Sequence, residues 1–165
     1  MGGWLTLMAT WQEFGEQAPE LAERVRERFE AHKHLTIATI RADGGPRISG
    51  TEVSIRLGHV WLAGMTRAWR FQDLRRDPRV AIHSASDDPE VWRGDAKISG
   101  RAVEVTDEGE FSAFAGTLEQ QPPGGGFELF RVELTEAVSV RLNEAKDALI
   151  IESWREGQPV RTVRR

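Results

Sequence analysis

The clearest periodic signal in the chain is the segment FRVELTEAVSVRL, residues 130–142. Phe130, Val132, Leu134, Val138, Val140 and Leu142 fall on one side of an extended chain, and Arg131, Glu133, Ser139 and Arg141 on the other. A period of two predicts a β-strand. At about 3.3 Å per residue it would reach roughly 40 Å, a length that favours a bent strand in a barrel over a flat sheet. Weaker β patterns occupy LTIATI (35–40), RISGTEVSI (47–55), HVWLAGM (59–65), RVAIHSA (79–85), DAKISGRAVEV (95–105) and ALIIESW (148–154). ADGGP (42–46) and Leu57-Gly58 supply the turn chemistry for hairpins between the first of these.

Helical spacing is confined to three places. APELAERVRERFEAH puts Leu21, Val25 and Phe29 on one stripe, with Pro19 suited to the first turn. A short helix is expected over 67–76, capped by Thr66, with Ala68, Phe71 and Leu74 buried and Asp77-Pro78 ending it. Another opens at Asp107 in DEGEFSAFAG. The fold class is therefore mainly β, a mostly antiparallel barrel with a leading helix and two short inserted ones. Residues 17–156 are expected as a single domain, 1–16 as an N-terminal extension and 157–165 as a frayed C-terminal tail.

Composition narrows the chemistry. No cysteine is present, which excludes disulfides, thiolate metal sites and cysteine nucleophiles and fits a cytoplasmic protein. No apolar run approaches the roughly 20 residues of a membrane helix. A formal net charge of −4 argues against a nucleic-acid partner. The opening MGGWLTLM lacks the cationic start of a signal peptide. Its match to a loose myristoylation pattern is read as chance, and Met8 stands as an alternative start.

Against this acidic background, GMTRAWRFQDLRRDPRV (64–80) carries Arg67, Arg70, Arg75, Arg76 and Arg79. Arg75 and Arg76 fall in the last helical turn, where cations suit the dipole. Arg67 and Arg70 fall at the N-terminal end, where each cation costs on the order of 0.3–1 kcal/mol. A bound anion reverses that penalty, because unpaired N–H groups, a hydroxyl and two guanidinium groups would converge on it. Without a ligand, the same arginines would form a solvated face paired with surface carboxylates.

Arg47-x-Ser49-Gly50, then Gly64-x-Thr66, then Arg70-x-x-x-Leu74 and LRRDPRVAI, in this order, resemble the pyridoxamine-phosphate-oxidase-like split barrels over residues 20–142. The resemblance implies a split β-barrel that binds flavin mononucleotide (FMN) or the deazaflavin coenzyme F-420. It implies that Arg47, Thr66 and Arg70 hold the cofactor phosphate, with Arg67 replacing a lost charge. Ser49 and Gly50 would line the flavin, and the backbone of Gly64 and Met65 would run along its ring. It also implies a homodimer and an oxidoreductase that moves hydride to or from a small molecule.

Two departures weigh against pyridoxamine-phosphate oxidation itself. Ala68-Trp69-Arg70 stands where those enzymes place Ser-Arg-Lys, and Glu52 stands where they place a lysine for the substrate phosphate. No catalytic side chain and no metal site is assigned. A non-catalytic flavin- or haem-binding protein is the alternative, with His83 as the haem candidate; Trp92 sits in a loop able to cover a ring. Asp87, Asp88 and Glu90 are expected to form a solvated turn, and QPPGGG (121–126) a flexible loop.

Overall fold

The computed structural model describes residues 8–120 and 126–165. The readings made above for residues 1–7 and for 121–125 lie outside the described residues. In chain order the elements are α1 (Trp11–Gln17), α2 (Pro19–Glu30), β1 (Leu35–Ile40), β2 (Pro46–Thr51), β3 (Ser54–Arg56), β4 (His59–Gly64), α3 (Trp69–Arg76), β5 (Arg79–His83), β6 (Asp95–Glu104), α4 (Glu108–Ala115), β7 (Glu128–Leu142), β8 (Leu149–Arg155) and β9 (Arg161–Arg164).

All strand pairings are antiparallel, in the order β2-β1-β5-β6-β7-β4-β3, with β8 added to β7 and β9 to β8. The two ends of this path, β2 and β3, are separated in sequence only by Glu52 and Val53. They are two halves of one bent strand, so the sheet must curl round on itself although no ladder joins them. β7 is shared in the same way. Its first half pairs with β4 and its second half with β8, which splits the barrel.

The core follows from the register. Ile37, Ile82, Ile98, Ala137 and Trp154 form one cross-strand row and are each 1% exposed or less. Leu21, Val25 and Phe29 of α2 pack in the same cluster, and Pro19 opens that helix as expected. The two-residue turn Leu57-Gly58 has φ of 52° and 74°, the left-handed pair that lets β3 and β4 fold tightly together. Asp107 caps α4 by accepting from the Glu110 N–H at 2.8 Å.

Several expectations are corrected. The alternation over 130–142 does not keep one phase. A bulge opposite Ser99-Gly100 leaves Thr135 without a partner. Phe130, Val132 and Leu134 face the core before it, and Ala137 and Ser139 after it. One extra residue moves every later side chain to the opposite face. Val138, Val140 and Leu142 therefore belong to neither apolar cluster.

Residues 11–17 form α1, whose Trp11 and Phe14 are core residues, closed by the Thr10–Glu13 capping box. The segment expected to fray forms β9, paired with β8 over 161–164. Asp87 is not a solvated residue. It accepts from Arg28 Nη2 and contacts His32 Nε2, both at 2.9 Å, which ties the loop after β5 to α2.

Candidate functional site

The five arginines separate once their partners are known. Arg75 pairs with Glu104 and Glu128, Arg76 with Asp73, and Arg79 with Asp77. Arg67 is exposed, with φ of 64°. That left-handed residue turns the chain between β4 and α3, so the helix begins at Trp69 and Arg67 lies outside it. Thr66 is correspondingly not the cap. Ala68 takes that position and offers no side-chain hydrogen bond. The N–H groups of Trp69 and Arg70 find no protein acceptor among the described residues.

Arg70 is different from the rest. It is half-buried, its Nε is buried without a partner, and no carboxylate pairs with it among the described residues. Burial pushes its guanidinium below the usual arginine range. The guanidinium lies 4.8 Å from the centre of the Phe71 ring. A half-buried cation with no internal counter-charge is costly, and an incoming anion would relieve that cost.

Arg70 lines a cleft of about 560 Å³ with Lys33, His34, Gly50, Thr51, Glu52, Ser54, Ala63, Gly64 and Met65. Phe114, Leu118, Gln120 and Gly126 form the remaining wall. The cleft lies where the strand bends between β2 and β3, at the C-terminal end of β4. α4 supplies its apolar side through a second, smaller core of Trp61, Val105, Phe114 and Leu129. Arg56 fixes that wall: its Nη1 donates to the Thr117 carbonyl (2.8 Å) and hydroxyl (3.1 Å), and its guanidinium lies 6.0 Å from the Phe114 ring centre.

Of the eight residues expected in the site, Gly50, Gly64, Met65 and Arg70 line this cleft. Thr66 and Arg67 lie beside it in the exposed turn. Ser49 is directly opposite Ile37, on the core-facing side of β2. Arg47 donates its Nε to Asp73 at 2.6 Å and lies 5.8 Å from the Trp69 ring centre, while its terminal nitrogens carry no protein hydrogen bond among the described residues. Asp73 also accepts from Thr39 Oγ1 at 2.8 Å and Arg76 Nη2 at 2.9 Å. This buried carboxylate joins β1, β2 and α3, and it sets the helix that carries Arg70.

The polar rim formed by Lys33, His34 and Glu52 was not read as a group from the sequence. Lys33 and His34 precede β1 and Glu52 follows β2, and only the pairing of Leu35 with Thr51 brings them together. Phe114 and Leu118 carry no local signal either. His83 is exposed on β5, with Nδ1 2.6 Å from the Ser84 carbonyl, and does not line the cleft. No helix among the described residues is long and apolar enough to cross a membrane.

The family model for pyridoxamine 5'-phosphate oxidase matches residues 21–141, and the chain belongs to that family. Solved structures of similar fold include a pyridoxamine 5'-phosphate oxidase-related, FMN binding protein from Nostoc punctiforme, at 12% identity. That match covers 90% of this chain and 95% of the other, with a TM-score of 0.62. PhzG from Burkholderia lata, in complex with tetrahydrophenazine-1-carboxylic acid, matches at 16% identity over 94% and 88% of the two chains, with a TM-score of 0.55. A haem binding protein from Mycobacterium smegmatis matches at 19% identity over 87% and 57%, with a TM-score of 0.57. At these identities the three establish the split-barrel fold. No curated protein matches the chain.

Proposed function

We propose that this protein binds FMN in the cleft, with the cofactor phosphate at Arg70 and the uncapped start of α3, and acts as an oxidoreductase on a small molecule. The observation that carries the reading is Arg70, a half-buried guanidinium aimed at a cleft and lacking any carboxylate partner among the described residues. The unpaired Arg70 guanidinium charge and the free N–H groups of Trp69 and Arg70 fit a phosphate. Family membership and the FMN-binding relative of similar fold support the same cofactor.

FMN suits the cleft better than coenzyme F-420. Lys33 lies 3.4 Å from Glu52, which leaves Arg70 as the lining Lys or Arg side chain without a carboxylate partner. One such cation answers one phosphate, whereas a long acidic tail calls for several. Glu52 would repel a phosphorylated substrate, so pyridoxamine 5'-phosphate oxidation is not the proposed reaction.

When bound, the flavin supplies the hydride chemistry. The chain's own residues bind and orient. Gly64 lets the β4 backbone approach the ligand, Phe114 and Leu118 keep water from one wall, and Arg47 braces α3 through Asp73. Lys33, His34 and Glu52 leave a polar rim for the substrate.

Titration of the apoprotein with FMN, followed by flavin fluorescence, tests the reading. Micromolar binding weakened at least about tenfold by Arg70→Ala, equivalent to about 1.4 kcal/mol, is the expected result. Absence of FMN binding by the wild type would overturn it. Parallel titrations with coenzyme F-420 and haemin separate the alternatives, haem being the second reading because His34 lines the cleft.

A further inference from the structure

Trp69 is set apart from the other tryptophans. Trp11, Trp61 and Trp154 are each 5% exposed or less and Trp92 is half-buried, whereas Trp69, the first residue of α3, is 68% exposed. Met65, in the turn just before it, is 78% exposed. A large flat apolar surface left in water carries more information than a single exposed aliphatic side chain.

The indole is also held in place. The Arg47 guanidinium lies over its ring, 5.8 Å from the centre. Arg47 is itself fixed, because its Nε donates to the buried Asp73 at 2.6 Å. β2, the Asp73 carboxylate and the start of α3 thus brace the ring from one side and leave the rest of it open. A fixed aromatic surface loses little freedom when a planar ring stacks on it. Nucleobases suit such a surface, since every base has a π-face.

The surrounding charges indicate what the base would carry. Asp73 is shared between Arg47 and Arg76, so one carboxylate serves two guanidinium groups. Arg67 has no carboxylate partner among the described residues, and its turn is ordered: Gln72 Nε2 donates to the Arg67 carbonyl at 3.0 Å and the Ala68 N–H to the Met65 carbonyl at 3.3 Å. The first turn of α3 holds no acidic residue. Arg70 lines the cleft, but Arg47 and Arg67 do not. A single phosphate at Arg70 leaves those two unanswered, and a second phosphoryl group linked to or beside it answers them.

We propose that Trp69 is the stacking platform of a site for an adenosine diphosphate group, with the adenine on the indole and the diphosphate at Arg47 and Arg67. Two ligands bring that group to a flavin site. One is flavin adenine dinucleotide (FAD), whose flavin half fills the cleft; the other is a reduced pyridine nucleotide docked beside bound FMN. The junction with the flavin rests on the FMN reading above, whereas the platform does not.

Isothermal titration calorimetry of the intact protein with ADP, FMN and FAD, and of the FMN-loaded protein with NADH, tests this. ADP is expected to bind the wild type, at least about tenfold more weakly to Trp69→Ala, and with little loss to Trp69→Phe, which keeps a ring to stack on. FAD binding tighter than FMN, by a ratio that Trp69→Ala removes, identifies the dinucleotide flavin as the source. Equal FMN and FAD affinities with Trp69-dependent NADH binding identify the pyridine nucleotide. Trp69 is exposed, so its variants keep the fold, checked by circular dichroism. ADP binding that is absent, or equal in the wild type and Trp69→Ala, overturns the proposal. The two readings fail separately: Trp69-dependent ADP binding by a protein that takes no flavin removes the cofactor and spares the platform, and FMN binding without an ADP site does the reverse.

Discussion

Gly64 and Arg70 touch. A Cβ placed on Gly64 would collide with Arg70 Nη2 and come within 3.1 and 3.2 Å of the Phe71 ring. The last residue of β4 therefore has to be small for the guanidinium to sit where it does, against the backbone that lines the cleft. Gly64→Ala is expected to push the flexible Arg70 head aside and crowd the fully buried Phe71. The stability cost is about 1 kcal/mol, while FMN affinity falls about tenfold. Thermal unfolding and the flavin titration measure the two effects separately. Unchanged affinity would mean that Arg70 does not hold the ligand from this position.

Asp73 sets the acid limit of the α3 anchorage. Burial pushes its carboxyl up, but hydrogen bonds from Arg47, Arg76 and Thr39 and the Arg47 charge more than reverse that push and hold it at about 2. An acid lowered in the fold stabilises it above the unfolded value, here 3.8. That stability, on the order of 2 kcal/mol, is lost as pH falls through the folded value of about 2. Denaturant midpoints across this window should fall more steeply for the wild type than for Asp73→Asn. Equal slopes would assign the acid sensitivity elsewhere, first to Asp77, which Arg79 also holds at about 2.

At neutral pH, Asp73→Ala leaves Thr39, Arg47 and Arg76 without their shared acceptor. The expected cost is about 3 kcal/mol, read from denaturant unfolding. Arg47→Met should cost less, since Thr39 and Arg76 keep the carboxylate.

Arg56 holds the apolar wall of the cleft. Arg56→Ala removes both bonds to Thr117 and the contact with Phe114, a local loss of about 1–2 kcal/mol. Amide hydrogen exchange over 108–118 should accelerate while the exchange of β6 and β7 stays unchanged. Uniform acceleration across the barrel would show that α4 does not open by itself.

Trp154 lies outside the residues matched by the family model, yet it is 1% exposed and 4.6 Å from Phe14, with its Nε1 donating to Gln17 Oε1 at 3.2 Å. Trp154→Ala is expected to cost about 3–5 kcal/mol, and Trp154→Phe distinctly less. A small effect in thermal unfolding would mean that α1 and β8 do not clasp the barrel in solution.

Elements whose partners are local were legible in the sequence. The hairpin turns needed only Asp43-Gly44 and Leu57-Gly58, α2 its stripe and Pro19, and α4 its Asp107 cap. The T-x-x-E signature of α1, Thr10 to Glu13, was present too, but a single capping box before a short helix is a weak signal. β9 offered little apolar pattern, because an edge strand paired on one side needs none.

The arginine run shows where that legibility ends. Its charge pattern pointed to the anion site proposed here, and the family order of motifs pointed to the segment between β4 and α3. Which arginine remains free depends on Asp73, Asp77, Glu104 and Glu128, and the last two carry little meaning until the sheet brings them within reach of Arg75. The phase of β7 turned on one unpaired residue, Thr135, that no periodicity reveals, since it exists only relative to β6.

The sequence by itself determined the split barrel and the family, and it singled out the segment that carries Arg70, because alternation, turns and caps act over a few residues. Only the tertiary structure decided that Arg70 is the unpaired cation, that Lys33, His34 and Glu52 share a rim, and that Val140 and Ile151 face outward. Each of those depends on strand register, which closes contacts between residues far apart in the chain.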